Sequence, residues 1–451
     1  MFFQWLWERL RSIWSVPDLR NKILYTLGIL LVFRVLSHIT VPLNPDEQAA
    51  LNALFNTNKN QNLSQLLGLL DVFSGGSLQT FSIVALSVYP YITATIVMQL
   101  LQPIIPALQN LSMQGEAGRL RFSQITRIIT VPLAFLQAIG TCALFQKEGI
   151  LKSFSLVDPQ SALQTWAILM TLTAGVMILV WLGELITENG IGNGISLIIF
   201  GGILSRFPSF VQQGYVAATT GGGSAGVVSI GVLALIGLVT IVGIVYIYMG
   251  QRRVPVQYPT KRMVRGGMVV GSAQTTYIPM QVNSAGMIPL IFAQSMLLFP
   301  SVISQYLTTS QTVWLKDIAT WVGTYLANPS QWYYWAFYFL LVVLFTYFYA
   351  YVLWQQQNIP ENLRKQGAFI PGYRPGEPTA RYLEDILKRI TLGGALFLGI
   401  VSVLPFVARV GANQLLGSAS LLIVVGVVLD TMRQLDAQMR MRNYQGLMDT
   451  H

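Results

Sequence analysis

Apolar runs of membrane-crossing length recur from one end of this chain to the other. Trp166 to Ile186 reads WAILMTLTAGVMILVWLGELI, with Glu184 its one charged residue. At about 1.5 Å of rise per residue, some 20 apolar residues cross the hydrocarbon core of a bilayer. In such a solvent every backbone polar group must be satisfied internally, so helices are the expected answer. Composition agrees: 53% of residues are hydrophobic and 10% charged, against about 25% charged in soluble domains.

Ten spans are expected: Ile23–Val41, Thr80–Leu101, Ile125–Leu144, Trp166–Ile186, Ile195–Val211, Val227–Met249, Ile278–Leu298, Trp332–Leu353, Ile390–Val410 and Leu415–Leu429. The fold class is therefore all-α, a polytopic membrane protein. Gly221-Gly222-Gly223-Ser224 separates the first five spans from the last five. Most of the 28 Lys and Arg residues fall in connectors on one side, which the positive-inside rule makes cytoplasmic. Both termini share that side, as an even number of spans requires. The net charge of +10 is thus placed by topology, not gathered into one nucleic-acid patch.

An odd number of spans per half permits an inverted repeat, and interrupted spans at matching positions point to a central site. Span two is interrupted. Leu66 to Phe73 is apolar but holds Asp71, and Ser74-Gly75-Gly76-Ser77 ends it; paired glycines remove helix propensity and let the chain turn. It reads as a short helical piece folded back against a full span at Thr80–Leu101. Span seven carries Asn283-Ser284-Ala285-Gly286 and Pro289 at the matching place. Such irregular backbone at membrane depth belongs in a channel or transporter.

The expected division is a cytoplasmic amphipathic helix over 1–22, a first half over 23–220, a second half over 221–436 and a tail over 437–451. In the opening helix Phe2, Phe3, Leu6, Leu10, Ile13 and Trp14 share a face opposite Glu8, Arg9 and Arg11. It serves as an interfacial anchor or as a docking surface. Two long basic connectors, 250–277 and 355–388, hold fixed Pro and Gly turns. Their charge suits an acidic partner such as ribosomal RNA, or anionic lipid.

Catalytic chemistry is poorly provided for. Cys142 is the one cysteine and sits in an apolar run, and His38 and His451 are the only histidines. A His/Cys metal centre is not expected, and neither a GxxxxGK[ST] phosphate loop nor HExxH occurs. No cofactor is implied. Ionisable groups within spans are few, where a coupled transporter would place several. An inverted-repeat secondary transporter of a small solute nevertheless stands as the alternative to a channel.

A set of ordered motifs narrows the choice. They are FSGGS from Phe73, YPYITATIVMQLL from Tyr89, WLGELITENGIGNGISLIIF from Trp181 and GQRRVPVQY from Gly250. VNSAGMIPLIFAQS follows from Val282, ENLRKQGAFIPGYRPGEPTARYL from Glu361 and SLLIVVGVVLD from Ser420. In identity, order and spacing they resemble the SecY family of channel subunits of the Sec protein translocase, over nearly the whole chain.

That resemblance implies two pseudo-symmetric inverted halves of five helices around an hourglass pore. It implies passage of unfolded secretory chains across the membrane and sideways release of transmembrane helices. Its plug falls on 66–79, including Leu67, Leu70, Asp71, Phe73, Gly75 and Gly76. Its ring of aliphatic side chains falls on Val88, Ile92, Ile195, Ile199, Ile291 and Ile423, with Val88 where Ile is frequent; read from the residues alone, each is ordinary core. Such a ring would seal around any extended chain without binding it and would resist wetting. Thr93, Gln137 and Asn283 take the places of a polar cluster in the lateral gate, between spans two and three and spans seven and eight; the plainer reading is helix-to-helix contact. Arg252, Arg253, Lys261, Arg262, Arg265, Arg364, Lys365 and Arg374 are implied to dock the SecA motor or the ribosome. Tyr277 and Gln281 depart from the His and Lys frequent there. The implied partners are SecE, SecG, signal peptides and nascent chains, and the membrane a bacterial plasma membrane or a thylakoid.

Overall fold

The computed structural model describes residues 16–42, 47–51, 71, 74–112, 114–147, 149–151, 162–220, 224–258, 263–265, 268–270, 274–307, 313–326, 331–407 and 418–448. The body of the opening amphipathic helix lies outside them. The first described helix, α1, is Pro17–Leu36. Pro17 opens it with its φ preset, Asp18 lies in its first turn and Arg34 in its last, each matching the helix dipole. Along α1, Leu27, Leu31 and Val35 repeat every four residues and stay exposed, a stripe that suits lipid and not water.

The second span departs from expectation. Helix α2 is only Tyr89–Leu101, with Pro90 in its first turn, and residues 75–88 are turns and one bridge, not helix. Phe81 and Ser87 hold positive φ angles of 44° and 52°, a left-handed conformation that no continuous helix contains. The segment is instead stitched to the extended stretch that follows α1, a helix that ends at Leu36, short of the expected Val41. Val41 N–H donates to the Phe81 carbonyl at 3.0 Å, and Ile83 N–H to that of Ile39 at 2.9 Å. It also lies directly on a later helix: a Cβ added to Gly175 would stand 2.0 Å from the Ile83 carbonyl oxygen. Apolar composition drew this stretch into the span; local serine and tertiary hydrogen bonding took it out.

Short α3 (Pro106–Ser112) leads into α4 (Gly115–Lys147), followed by α5 (Ala162–Asn189), α6 (Gly194–Thr220) and α7 (Ser224–Met249). The chain is mostly helical, but two short antiparallel strand pairs follow. β1 (Gln251–Tyr258) pairs antiparallel with β4 (Gln274–Gln281), Val254 opposite Ile278, and β2 (Met263–Arg265) pairs with β3 (Met268–Val270). The seventh span is shifted accordingly. Ile278 to Gln281 belong to β4, residues 282–287 turn, and helix α8 begins at Ile288 and ends at Leu307. Gly286, at φ +64°, and Pro289 after it punctuate that start.

The remaining helices are α9 (Val313–Tyr325), α10 (Trp332–Gln357), α11 (Ile359–Lys365), α12 (Glu377–Val407) and α13 (Ser418–Met448). α9 was not expected. Among the described residues four helical stretches are long and apolar enough to cross a membrane: Leu120–Gln146, Ala162–Asn189, Trp332–Lys365 and Glu377–Leu404. One large apolar cluster draws on α1, on the turns before α2, and on α5, α6, α7, α8, α10, α12 and α13, so both halves of the chain meet in it. Cys142 is buried in a second cluster with Phe81 and Phe145.

Candidate channel core

All six aliphatic residues assigned to the ring lie in or against the large cluster. Val88, Ile199 and Ile423 are buried within it, while Ile92, Ile195 and Ile291 pack on it half-buried. They come from α2 and the turn before it, α6, α8 and α13, helices far apart in sequence. Their side chains offer a neighbour no hydrogen bond and no charge.

Beside the cluster lies the interrupted segment. Leu67, Leu70 and Phe73 fall outside the described residues; Asp71, Gly75 and Gly76 do not. Asp71 is buried, its Oδ1 accepts from the Gln79 N–H at 2.9 Å, and its Oδ2 is ion-paired with Arg206 of α6. Only 5% of the Asp71 side chain and 17% of the Arg206 side chain is exposed. The Gly75 carbonyl accepts from Arg34 Nη1 at 3.1 Å and from Ser205 Oγ at 3.2 Å. The two glycines are required here. Gly75 and Gly76 hold φ angles of +67° and +90°. A Cβ on Gly75 would come 2.7 Å from Gly202 Cα, and one on Gly76 3.1 Å from Arg206 Nε. The segment is therefore seated on α6 by shape, one hydrogen bond from Ser205 and one buried charge pair, with Arg34 of α1 supplying a second bond to Gly75. Arg206, Ser205 and Arg34 are not legible as partners in the sequence, since nothing local ties them to Asp71 or Gly75.

The three polar residues expected at a gate share no hydrogen bond among the described residues. Thr93 Oγ1 donates to its own helix at Tyr89 O, 3.0 Å, and Gln137 is half-buried on α4. Asn283 is buried, and its Nδ2 donates to Gly286 O at 3.1 Å within its own turn. Among the described residues Asn283 Oδ1 and Ser284 Oγ are buried without a hydrogen-bond partner. An unpaired buried oxygen costs about 1–3 kcal/mol, so the start of α8 holds polar capacity that its own fold leaves unused. A second charge pair links α4 to α5, Arg127 Nε to Glu184 Oε1 at 2.6 Å.

At the end bearing the strands, the two long connectors form one body. Val254 and Val256 point inward from β1 and pack with Leu363, Ile370, Leu383 and Trp354. Gln257 and Phe369 exchange backbone hydrogen bonds at 2.9 and 3.0 Å, tying the first connector to the second. Arg252, Arg253, Arg364, Lys365 and Arg374 are all exposed on this body. Arg364 pairs with Glu361 at 2.9 Å. Arg374 lies in a turn bracketed by Gly372 and Gly376, both at positive φ, and its carbonyl accepts from Thr379 Oγ1 at 2.8 Å. Lys261 and Arg262 lie outside the described residues, and Arg265 is described only as the last residue of β2.

Comparison with known proteins places this arrangement. The SecY family model matches residues 82–432. The chain is 41% identical over 446 residues to the protein translocase subunit SecY of Mycobacterium bovis, covering 96% of this chain and 97% of that one. It is 40% identical to the subunit of the same name from Streptomyces coelicolor, covering 96% and 98%. Among solved structures, one described as a protein-conducting channel aligns at a TM-score of 0.57 and 16% identity, covering 93% of this chain and 92% of that chain. Canine Sec61 from a ribosome–channel complex aligns at 0.56 and 15% identity, with the same coverage. The fold is shared with those structures, and at this identity and coverage the chain is a member of the SecY family.

Proposed function

We propose that this chain is the protein-conducting subunit of a Sec translocase, a channel and not an enzyme. It passes unfolded secretory polypeptides across the membrane and releases transmembrane helices sideways into it. The observation that carries the reading is identity of about two residues in five with translocase subunits along nearly the full chain. Those relatives leave the small-solute transporter without support.

In this reading ten helices form two inverted halves, 23–220 and 221–436, with 1–22 on the membrane surface and 437–451 as a tail. Both termini face the cytoplasm of a bacterial cell, or the stroma if the membrane is a thylakoid. Val88, Ile92, Ile195, Ile199, Ile291 and Ile423 make the seal; their gathering in one apolar cluster supports that role. The segment 66–79 plugs the path, supported by the seating of Asp71, Gly75 and Gly76 on α6. The gate opens between α2 with α4 and α8 with α10, at Thr93, Gln137 and Asn283, where a signal helix finds the unspent oxygens of Asn283 and Ser284.

SecE and SecG complete the complex. The paired connectors dock SecA or the ribosome through Arg252, Arg253, Lys261, Arg262, Arg265, Arg364, Lys365 and Arg374, and anionic lipid meets the same basic side.

Ion conductance in planar bilayers tests the reading, comparing the intact complex with one lacking Leu67 to Gln79. The intact complex is expected to be quiet and the deletion to open repeatedly. Quiet traces from both, in folded protein, would overturn the plug assignment.

A further inference from the structure

Where the end of α2 meets the end of α10, a cleft of about 520 Å³ opens beside the body of paired connectors. That volume falls within the range of about 300–1,000 Å³ typical of ligand sites, but most such sites are apolar with a few polar groups. This one is the reverse: among the described residues more than half of its lining is Gln or Asn, with Glu361 and Lys365 the charged ones. Gln99 comes from α2 and Gln102 caps its end, Gln356 and Gln357 come from α10, and Asn362 from α11.

Two details mark it as a site. Gln356 Nε2 donates to Gln102 Oε1 at 2.9 Å, closing one edge of the cleft between the two halves. Gln99 Oε1 is buried without a hydrogen-bond partner, while its Nε2 reaches only the Tyr349 hydroxyl at 3.5 Å. A carboxamide presents an acceptor and two donors, so this wall matches a ligand that alternates N–H and C=O and carries no obligatory charge. An extended polypeptide backbone does that.

Position selects which polypeptide. Gln99 is seven residues beyond Ile92, two helical turns on the same face of α2. The distance is about 10 Å, or about three residues of extended chain. A chain lying in the cleft thus continues along one helix face into the aliphatic cluster.

We infer that the carboxamide cleft between α2 and α10 binds the extended backbone of the translocating chain just before it reaches the aliphatic seal. This rests on the channel reading. The cleft holds backbone hydrogen bonds whatever the side chains, and the apolar ring beyond it holds none, so the chain is gripped before the ring and free within it.

The test uses the complete complex with SecA and ATP. Gln357 is exposed, so a photoreactive phenylalanine derivative there leaves the fold intact. With precursors stalled at successive lengths, it is expected to label the precursor at residues that shift with the stall. Gln99→Leu, with folding checked by thermal unfolding, should slow transport of unrelated precursors alike by about tenfold, the value of one hydrogen bond of about 1–1.5 kcal/mol. Labelling of SecA alone would mean that the cleft docks a partner loop, and would overturn the inference. So would an unchanged rate for Gln99→Leu with no label on the precursor. If the unaltered complex moves no precursor, the channel reading fails with it; transport without labelling refutes the cleft alone.

Discussion

Neutralising Asp71 should unseat the interrupted segment while leaving the rest of the fold in place. Asp71→Asn keeps the shape of the side chain and removes its charge, so Arg206 is left 17% exposed with no anion beside it. Breaking a buried ion pair from one side costs about 3–5 kcal/mol, because the remaining charge stays desolvated. If the seated and unseated states differ chiefly in that contact, their equilibrium shifts by on the order of 10²- to 10³-fold toward unseated. Single-channel recording reads this as open probability. Arg206→Gln should raise it similarly. The double variant Asp71→Asn with Arg206→Gln should raise it by much less than the two shifts combined, since replacing both partners leaves no uncompensated charge. Shifts that simply add would refute the pairing, and an Asp71→Asn channel as quiet as the parent would refute the seating.

Three other outcomes follow from the same geometry. Gly75→Ala places a Cβ 2.7 Å from Gly202 Cα at φ +67°, so its open probability should rise as well; unchanged recordings would mean that the close approach is not kept. Gly175→Val should lower the melting temperature of the complex by several degrees, since its Cβ would overlap the Ile83 carbonyl and overpacking costs about 1–3 kcal/mol. Reversing the exposed charges Arg253 and Arg374 to Glu should weaken SecA or ribosome binding at least tenfold, more at low salt than at high, with stability unchanged. Equal binding in both salts would remove these residues from the docking surface.

Much of the architecture was legible because membrane helices announce themselves by length and composition. Trp166–Ile186 and Trp332–Leu353 sit inside α5 and α10, whose observed ends are Ala162, Asn189, Trp332 and Gln357. Apolar composition misled at 80–88, where left-handed Phe81 and Ser87 and bonds to Ile39 and Val41 beyond α1 override it. The hairpin of β1 and β4 was written in the sequence as a period of two, Val254 and Val256 inward with Arg253 and Pro255 outward. Pro255 lacks an N–H, and β1 tolerates it because its edge away from β4 is bonded at Gln257, to Phe369, and not at Pro255.

The aliphatic ring could be assigned only through family motifs, since six aliphatics among a great many carry no local mark. The pairing of Asp71 with Arg206, 135 residues apart, could not be read at all. Sequence shows two isolated charges, and only the fold shows that they neutralise each other.

The most direct test of a protein-conducting role places photoreactive groups at Ile92, Ile199, Ile291 and Ile423, one at a time, in the reconstituted complex with a precursor stalled in transit. The expected result is that all four label the same short stretch of precursor, and that the stretch moves with the stall length. A precursor that becomes protease-protected while none of the four positions labels it would contradict the account, because the chain would then be crossing somewhere else.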